Sequence, residues 1–109
     1  MLTREDVRRI ALSQPEATEA DHFGMPSFRV GKKIFCTIHA PEHARTMLKL
    51  DPEDQHNLAD GEAIVPAPGY WGEKGSTFIY FEKVDEALLA NLMRLAWSGV
   101  APRKLIWKL

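Results

Sequence analysis

The segment Ser27–Ile38 restricts the fold of this chain more than any other. It reads SFRVGKKIFCTI, two runs of strand-forming residues with only Gly31-Lys32-Lys33 between them. A parallel pairing needs a crossover of about a dozen residues or more. A connection this short therefore makes the two runs antiparallel neighbours, with the glycine supplying the turn. In the first run Phe28 and Val30 alternate with polar neighbours, the pattern of a strand buried on one face. An antiparallel sheet is the frame the rest of the chain must fit.

The flanking elements carry their own signals. Thr3 is an N-cap with Asp6 three residues on, so a helix is expected from Arg4 to Ser13, with Val7, Ile10 and Ala11 as its apolar stripe and Pro15 as its stop. Strands are expected at Ser27–Val30, Ile34–Ile38 and Thr46–Leu50, then at Ala63–Pro66 and at Thr77–Phe81, which is rich in aromatic residues. Between them Asp51-Pro52 opens a short helix that runs to Asp60 and stops at Gly61. The last helix starts at the Asp85 N-cap and is expected to end at Gly99, with Leu88, Leu92 and Leu95 buried against the sheet. The order α-β-β-β-α-β-β-α is that of an α+β fold. The expectation is one domain over residues 1–109: a single antiparallel β-sheet packed by N-terminal, short middle and long C-terminal helices.

Composition removes several function classes. Lys and Arg number 14 against 15 Asp and Glu, a net charge of −1, so no global basic field gathers nucleic acid. The imbalance is local: no acid follows Glu86, whereas Arg94, Arg103, Lys104 and Lys108 do. The single Cys36 excludes an intramolecular disulfide and fits a reducing compartment. No apolar run approaches the roughly 20 residues of a membrane span, and the charged N-terminus does not read as a signal peptide. A cytoplasmic protein with no membrane partner is the expectation.

Catalytic and metal chemistry find little footing. His39 and His43 are four apart, but Ala40-Pro41 between them breaks the helix that would put both on one face. No HExxH or comparable ligand set is present, so no metal is expected. Cys36 shares strand parity with Ile34 and Ile38 and is expected to face the core as an inert apolar residue. Gly69, Gly72 and Gly75 recur every three residues, but in neither a GxGxxG nor a GxxxxGK[ST] pattern. No catalytic residue and no cofactor follow from these motifs, and the chain is not expected to be an enzyme.

The stretch from Phe23-Gly24-Met25-Pro26 through Gly31-Lys32-Lys33-Ile34-Phe35 resembles the hairpin of the MmcQ/YjbR family. So do Leu48-Lys49-Leu50-Asp51-Pro52-Glu53, the segment Gly69-Tyr70-Trp71-Gly72-Glu73-Lys74-Gly75, and Ala96-Trp97 through Ala101-Pro102-Arg103-Lys104-Leu105. The resemblance covers nearly the whole chain in order. It implies an α+β fold and DNA binding, the latter through a double-wing comparison, and it assigns no catalytic residue. Carried onto this chain, Lys32 and Lys33 form one wing, Trp71 and Lys74 the second, and Lys49, Arg103 and Lys104 add phosphate contacts where they share that face. The sequence shows no recognition helix with Arg, Asn or Gln placed to read bases, so contact falls on the DNA backbone and is weak and independent of sequence. The alternative function is a small-ligand or protein-interaction module, with Tyr70, Trp71, Phe78 or Tyr80 on an open sheet face.

Overall fold

A computed structural model of the chain describes residues 1–107. Lys108, one of the C-terminal cations noted above, lies outside the described residues. Helix α1 (Arg4–Leu12) leads into six strands: β1 (Thr18–His22), β2 (Met25–Val30), β3 (Lys33–Ile38), β4 (Thr46–Lys49), β5 (Ile64–Pro66) and β6 (Ser76–Ile79). Helix α2 (Pro52–Leu58) follows β4, and α3 (Gly69–Glu73) lies between β5 and β6. Helices α4 (Glu86–Val100) and α5 (Arg103–Ile106) complete the described chain. The strands form one sheet in the order β1-β2-β3-β4-β6-β5, with every neighbouring pair antiparallel. The α+β reading holds.

The register sorts side chains onto two faces, because residues directly opposite each other share a face. Phe28, Cys36, Leu48 and Thr77 form one row, and Ile38, Thr46, Ile79 and Ile64 another. All of these are buried, and they make the floor of the core. Helices α1 and α4 cover this face and pack against each other and against β3. The capping box of α1 is formed by Thr3 and Asp6, and Val7, Ile10 and Ala11 are its buried residues, as the sequence led one to expect. The opposite face carries Thr37, Met47 and Phe78 in register, and helices α1 and α4 leave it open.

Several elements differ from the sequence reading. Strand β1 was not anticipated. Its residues TEADH are exposed or half-buried on both faces, so an edge strand forms without apolar alternation. The segment Gly69–Glu73, read as loop, is a short helix. Helix α4 runs through Gly99 to Val100, since no residue there needs the left-handed backbone that would stop it. Its buried stripe is Leu89, Leu92, Met93, Ala96 and Trp97. Leu88 is only half-buried and Leu95 is exposed, so the helix is rotated from the expected leucine stripe. Trp97 is buried on that side and donates its indole N–H to the Pro15 carbonyl at 2.9 Å.

Cys36 is buried, though the parity argument fails for Ile34. Phe28 pairs with Cys36 and Arg29 with Ile34, so Phe35 is an extra residue in a β-bulge. Phe35 and Cys36 both enter the core, and Ile34 is turned to the open face. The hydroxyl of Thr46 donates to the Thr37 carbonyl at 2.7 Å and so accepts the Cys36 thiol at 3.2 Å. Burial pushes the Cys36 thiol up to about 12. The thiolate, which is the reactive form, is therefore scarce at neutral pH. Cys36 should label with a thiol reagent only as fast as the core opens, and stoichiometrically once denatured. Rapid labelling of the folded protein contradicts this packing.

Candidate functional site

The open face of the sheet is hollowed into a trough of about 440 Å³. Its floor is Met25 on β2, Ile34 and Thr37 on β3, Met47 on β4 and Ser76 on β6, three apolar side chains and two hydroxyls. Its charge comes from Lys32 in the β2–β3 turn, Lys49 at the end of β4 and Lys74 just after α3. His22 closes the β1 end, His39 lies along β3's continuation, and Trp71 on α3 stands at the far side. No carboxylate is among the described residues that line it. Three lysines thus line one concavity on a chain whose net charge is −1.

Local structure explains each placement. The turn between β2 and β3 is two residues, Gly31-Lys32, with Gly31 at φ +61. Lys33 already pairs with Val30. The two lysines therefore part company: Lys32 lines the trough, while Lys33 lines a neighbouring groove of about 790 Å³. That groove shares Lys49 and Lys74 but adds Asp51, Glu53 and Asp54 from the start of α2. Its charges are mixed, so it attracts anions less than the trough does.

Helix α3 is held against the sheet by contacts that need glycine. A Cβ on Gly72 would lie 1.6 Å from the Ala67 carbonyl oxygen, and one on Gly75 would lie 1.9 Å from that of Leu50. The buried Gln55 amide donates to the Gly72 carbonyl at 2.9 Å and to the Thr77 hydroxyl at 2.9 Å, tying α2 to α3 and β6. Trp71 and Lys74 are thereby fixed on a rigid support, although Trp71 itself is 69% exposed.

His39 is biased toward its neutral form. Burial, then Arg45 and His43, hold its pKa below the usual histidine value. Arg45 Nε donates to His39 Nδ1 at 2.7 Å, which places the imidazole's own proton on Nε2. The Arg45 guanidinium lies 4.0 Å from the centre of the Phe78 ring and reaches the Tyr80 hydroxyl at 3.4 Å. This cluster covers the part of the open face beyond the trough.

Of the residues expected from sequence, Lys32, Lys49, Trp71 and Lys74 come together in the trough. Lys33 faces the adjoining groove. Arg103 and Lys104 are exposed on α5 and line neither. His22, Met25, Ile34, Thr37, His39, Met47 and Ser76 also line the trough and were not among the expected residues. Thr37 and His39, the latter one residue past β3, could have been found, since their parity is opposite to that of Cys36 and Ile38. Among the described residues, no group of three or more His, Cys, Asp or Glu side chains is disposed to hold a metal ion. No described helix is long and apolar enough to cross a membrane.

A family model described as YjbR matches residues 12–98. The search of curated proteins returns no match. Among solved structures, the chain is similar to Deinococcus radiodurans protein DR2400, a crystal structure with a DUF419 domain. The TM-score is 0.73 at 23% identity, over 96% of this chain and 88% of that one. At that identity the likeness speaks for the fold alone.

Proposed function

The chain belongs to the YjbR family, and we propose that it is a non-enzymatic DNA-binding protein that holds the sugar–phosphate backbone in the trough on its open sheet face. The observation that carries this reading is that Lys32, Lys49 and Lys74 line one concavity with no carboxylate among its described lining residues. Phosphate contacts of this kind give affinity without sequence information. Helix α4 spends its apolar face on the core, and α2 carries Glu53 and Asp54 in its first turn. Cys36 is buried under the other face of the sheet and offers no nucleophile to the trough. The interaction-module reading has less support, because Arg45 already occupies the face of Phe78 and bonds Tyr80.

The affinity should be in the micromolar range or weaker at physiological salt, as for other binding driven by phosphate contacts. Each contact adds a slope of about −0.9 to log K against log salt on duplex and about −0.7 on a single strand. Replacing Lys32, Lys49 and Lys74 together by Ala should make the slope shallower by up to about 2.7 on duplex or about 2.1 on a single strand. Fluorescence anisotropy of labelled DNA across a salt series measures it. An unchanged slope, or no binding by the parent protein at low salt, contradicts the reading.

A further inference from the structure

Resting on that reading, we infer that the trough's occupant is single-stranded DNA, with its bases turned toward the sheet, and that duplex is a poor ligand. Shape favours a single strand. The trough crosses the sheet from His22 on β1 to Ser76 on β6, four strand spacings or about 19 Å. A concave surface can offer lysines to the phosphates of a duplex, but its floor would then touch nothing. The major groove of a duplex is read by a projecting helix or ribbon, whereas this face is hollow.

The chemistry of the floor and walls favours it too. Met25, Ile34 and Met47 are apolar, and lysines stand around them. A duplex hides the faces of its bases in the stack and shows mainly phosphate to such a surface. An unpaired strand presents both a phosphate edge and flat apolar rings. Sheet faces that bind single strands combine aromatic platforms with a positive groove.

Two exposed aromatic side chains flank the trough, Trp71 in its lining and Phe23 next to the lining residue His22. Trp71 stands exposed at one end. At the other, Phe23 packs edge-on against His22 at 4.8 Å and is 92% exposed. Phe23 sits in the β1–β2 turn with φ +51, ahead of Gly24 at φ +83. This backbone favours Asn, Asp or Gly, and a bulky aromatic there is uncommon. Burial does not offset that strain, since the ring is in solvent. A residue that is conformationally unfavourable and unburied fits a contact made outside the folded chain. Phe23 and Trp71 are the stacking platforms for bases entering and leaving the trough.

The test compares a labelled mixed-sequence single strand with the duplex made from it, using the full chain at low salt. The single strand should bind about tenfold or more tighter than the duplex. Trp71→Ala and Phe23→Ala should each weaken single-strand binding by about tenfold, the scale of one lost stacking contact, without changing the salt slope. Both side chains are exposed, so unchanged thermal melting of the variants confirms that folding is intact. Equal or tighter duplex binding overturns the inference and leaves the DNA-binding reading standing. Full affinity in the two aromatic variants overturns it as well. A mononucleotide that competes as well as the strand does, mole for mole, assigns the trough to a small ligand and overturns both. So does failure to bind either form of DNA.

Discussion

Trp97→Ala lowers the stability of the fold by about 3–5 kcal/mol, the range for removing a large aromatic side chain from a core. Trp97 is wholly buried between α4 and the sheet. Its indole N–H donates to the Pro15 carbonyl at 2.9 Å, which fastens the end of α1 to α4. Arg94 lies over the same ring at 5.2 Å and donates to the Gln14 amide oxygen at 2.6 Å. The substitution leaves a cavity and also removes the donor from a carbonyl at the α1–β1 junction. Urea unfolding followed by circular dichroism measures the loss. Trp107→Ala is the internal comparison: Trp107 is 85% exposed, and its removal should change stability by less than about 0.5 kcal/mol. Equal effects at the two positions would mean that α4 presents a different face to the sheet.

Gly72→Ala is the second large effect, and it works through backbone rather than core. The added methyl would sit 1.6 Å from the Ala67 carbonyl oxygen and 2.7 Å from its carbon, neither of which is the end of a flexible side chain. Helix α3 must move away, and with it goes the carbonyl that Gln55 bonds. The expected cost is about 3 kcal/mol, the upper part of the range for forcing atoms into a packed site. DNA binding should weaken in the same variant, because Trp71 and Lys74 move with α3. Gly99→Ala should do the opposite. Gly99 lies inside α4 with open space around it, so alanine should add about 0.5–1 kcal/mol by restricting the unfolded chain and favouring helix. Thermal melts of the two variants, shifted in opposite directions, check both statements. A stable Gly72→Ala protein with full DNA affinity would contradict the support assigned to α3.

The same particulars explain which parts of the molecule were legible in the sequence. Caps and tight turns are local chemistry, so α1, α2 and the β2–β3 hairpin could be read directly. Strand β1 could not, because an edge strand with both faces wet has no apolar alternation. Helix α3 begins and contains glycine, which reads as loop until Gly72 is seen against Ala67. The α4 face was misjudged because two stripes coexist on that helix. Leucines at 88, 92 and 95 outnumber those in the true stripe, where Met93, Ala96 and Trp97 share the burial. The trough is the least local feature. Lys49 opposes Ser76, and Met47 lies between Thr37 and Phe78, only once the register is known. The bulge at Phe35 then turns Ile34 onto the open face, against the parity of its strand.

The central claim is that nucleic acid lies on the open face of the sheet, and its most direct test is a residue-by-residue map of the contact. Titration of isotope-labelled protein with a short single-stranded DNA, followed by amide and indole NMR shifts, provides that map. The largest shifts should fall on Lys32, Ile34, Thr37, Met47, Lys49 and Ser76, and on the indole of Trp71. The indole of Trp97 and the amides of Val7, Ile10, Leu92 and Ala96 should stay in place, since they lie in the core and on the helices behind the sheet. Shifts concentrated on α1 and α4, or on Arg103 and Lys104 with the trough silent, would contradict the account.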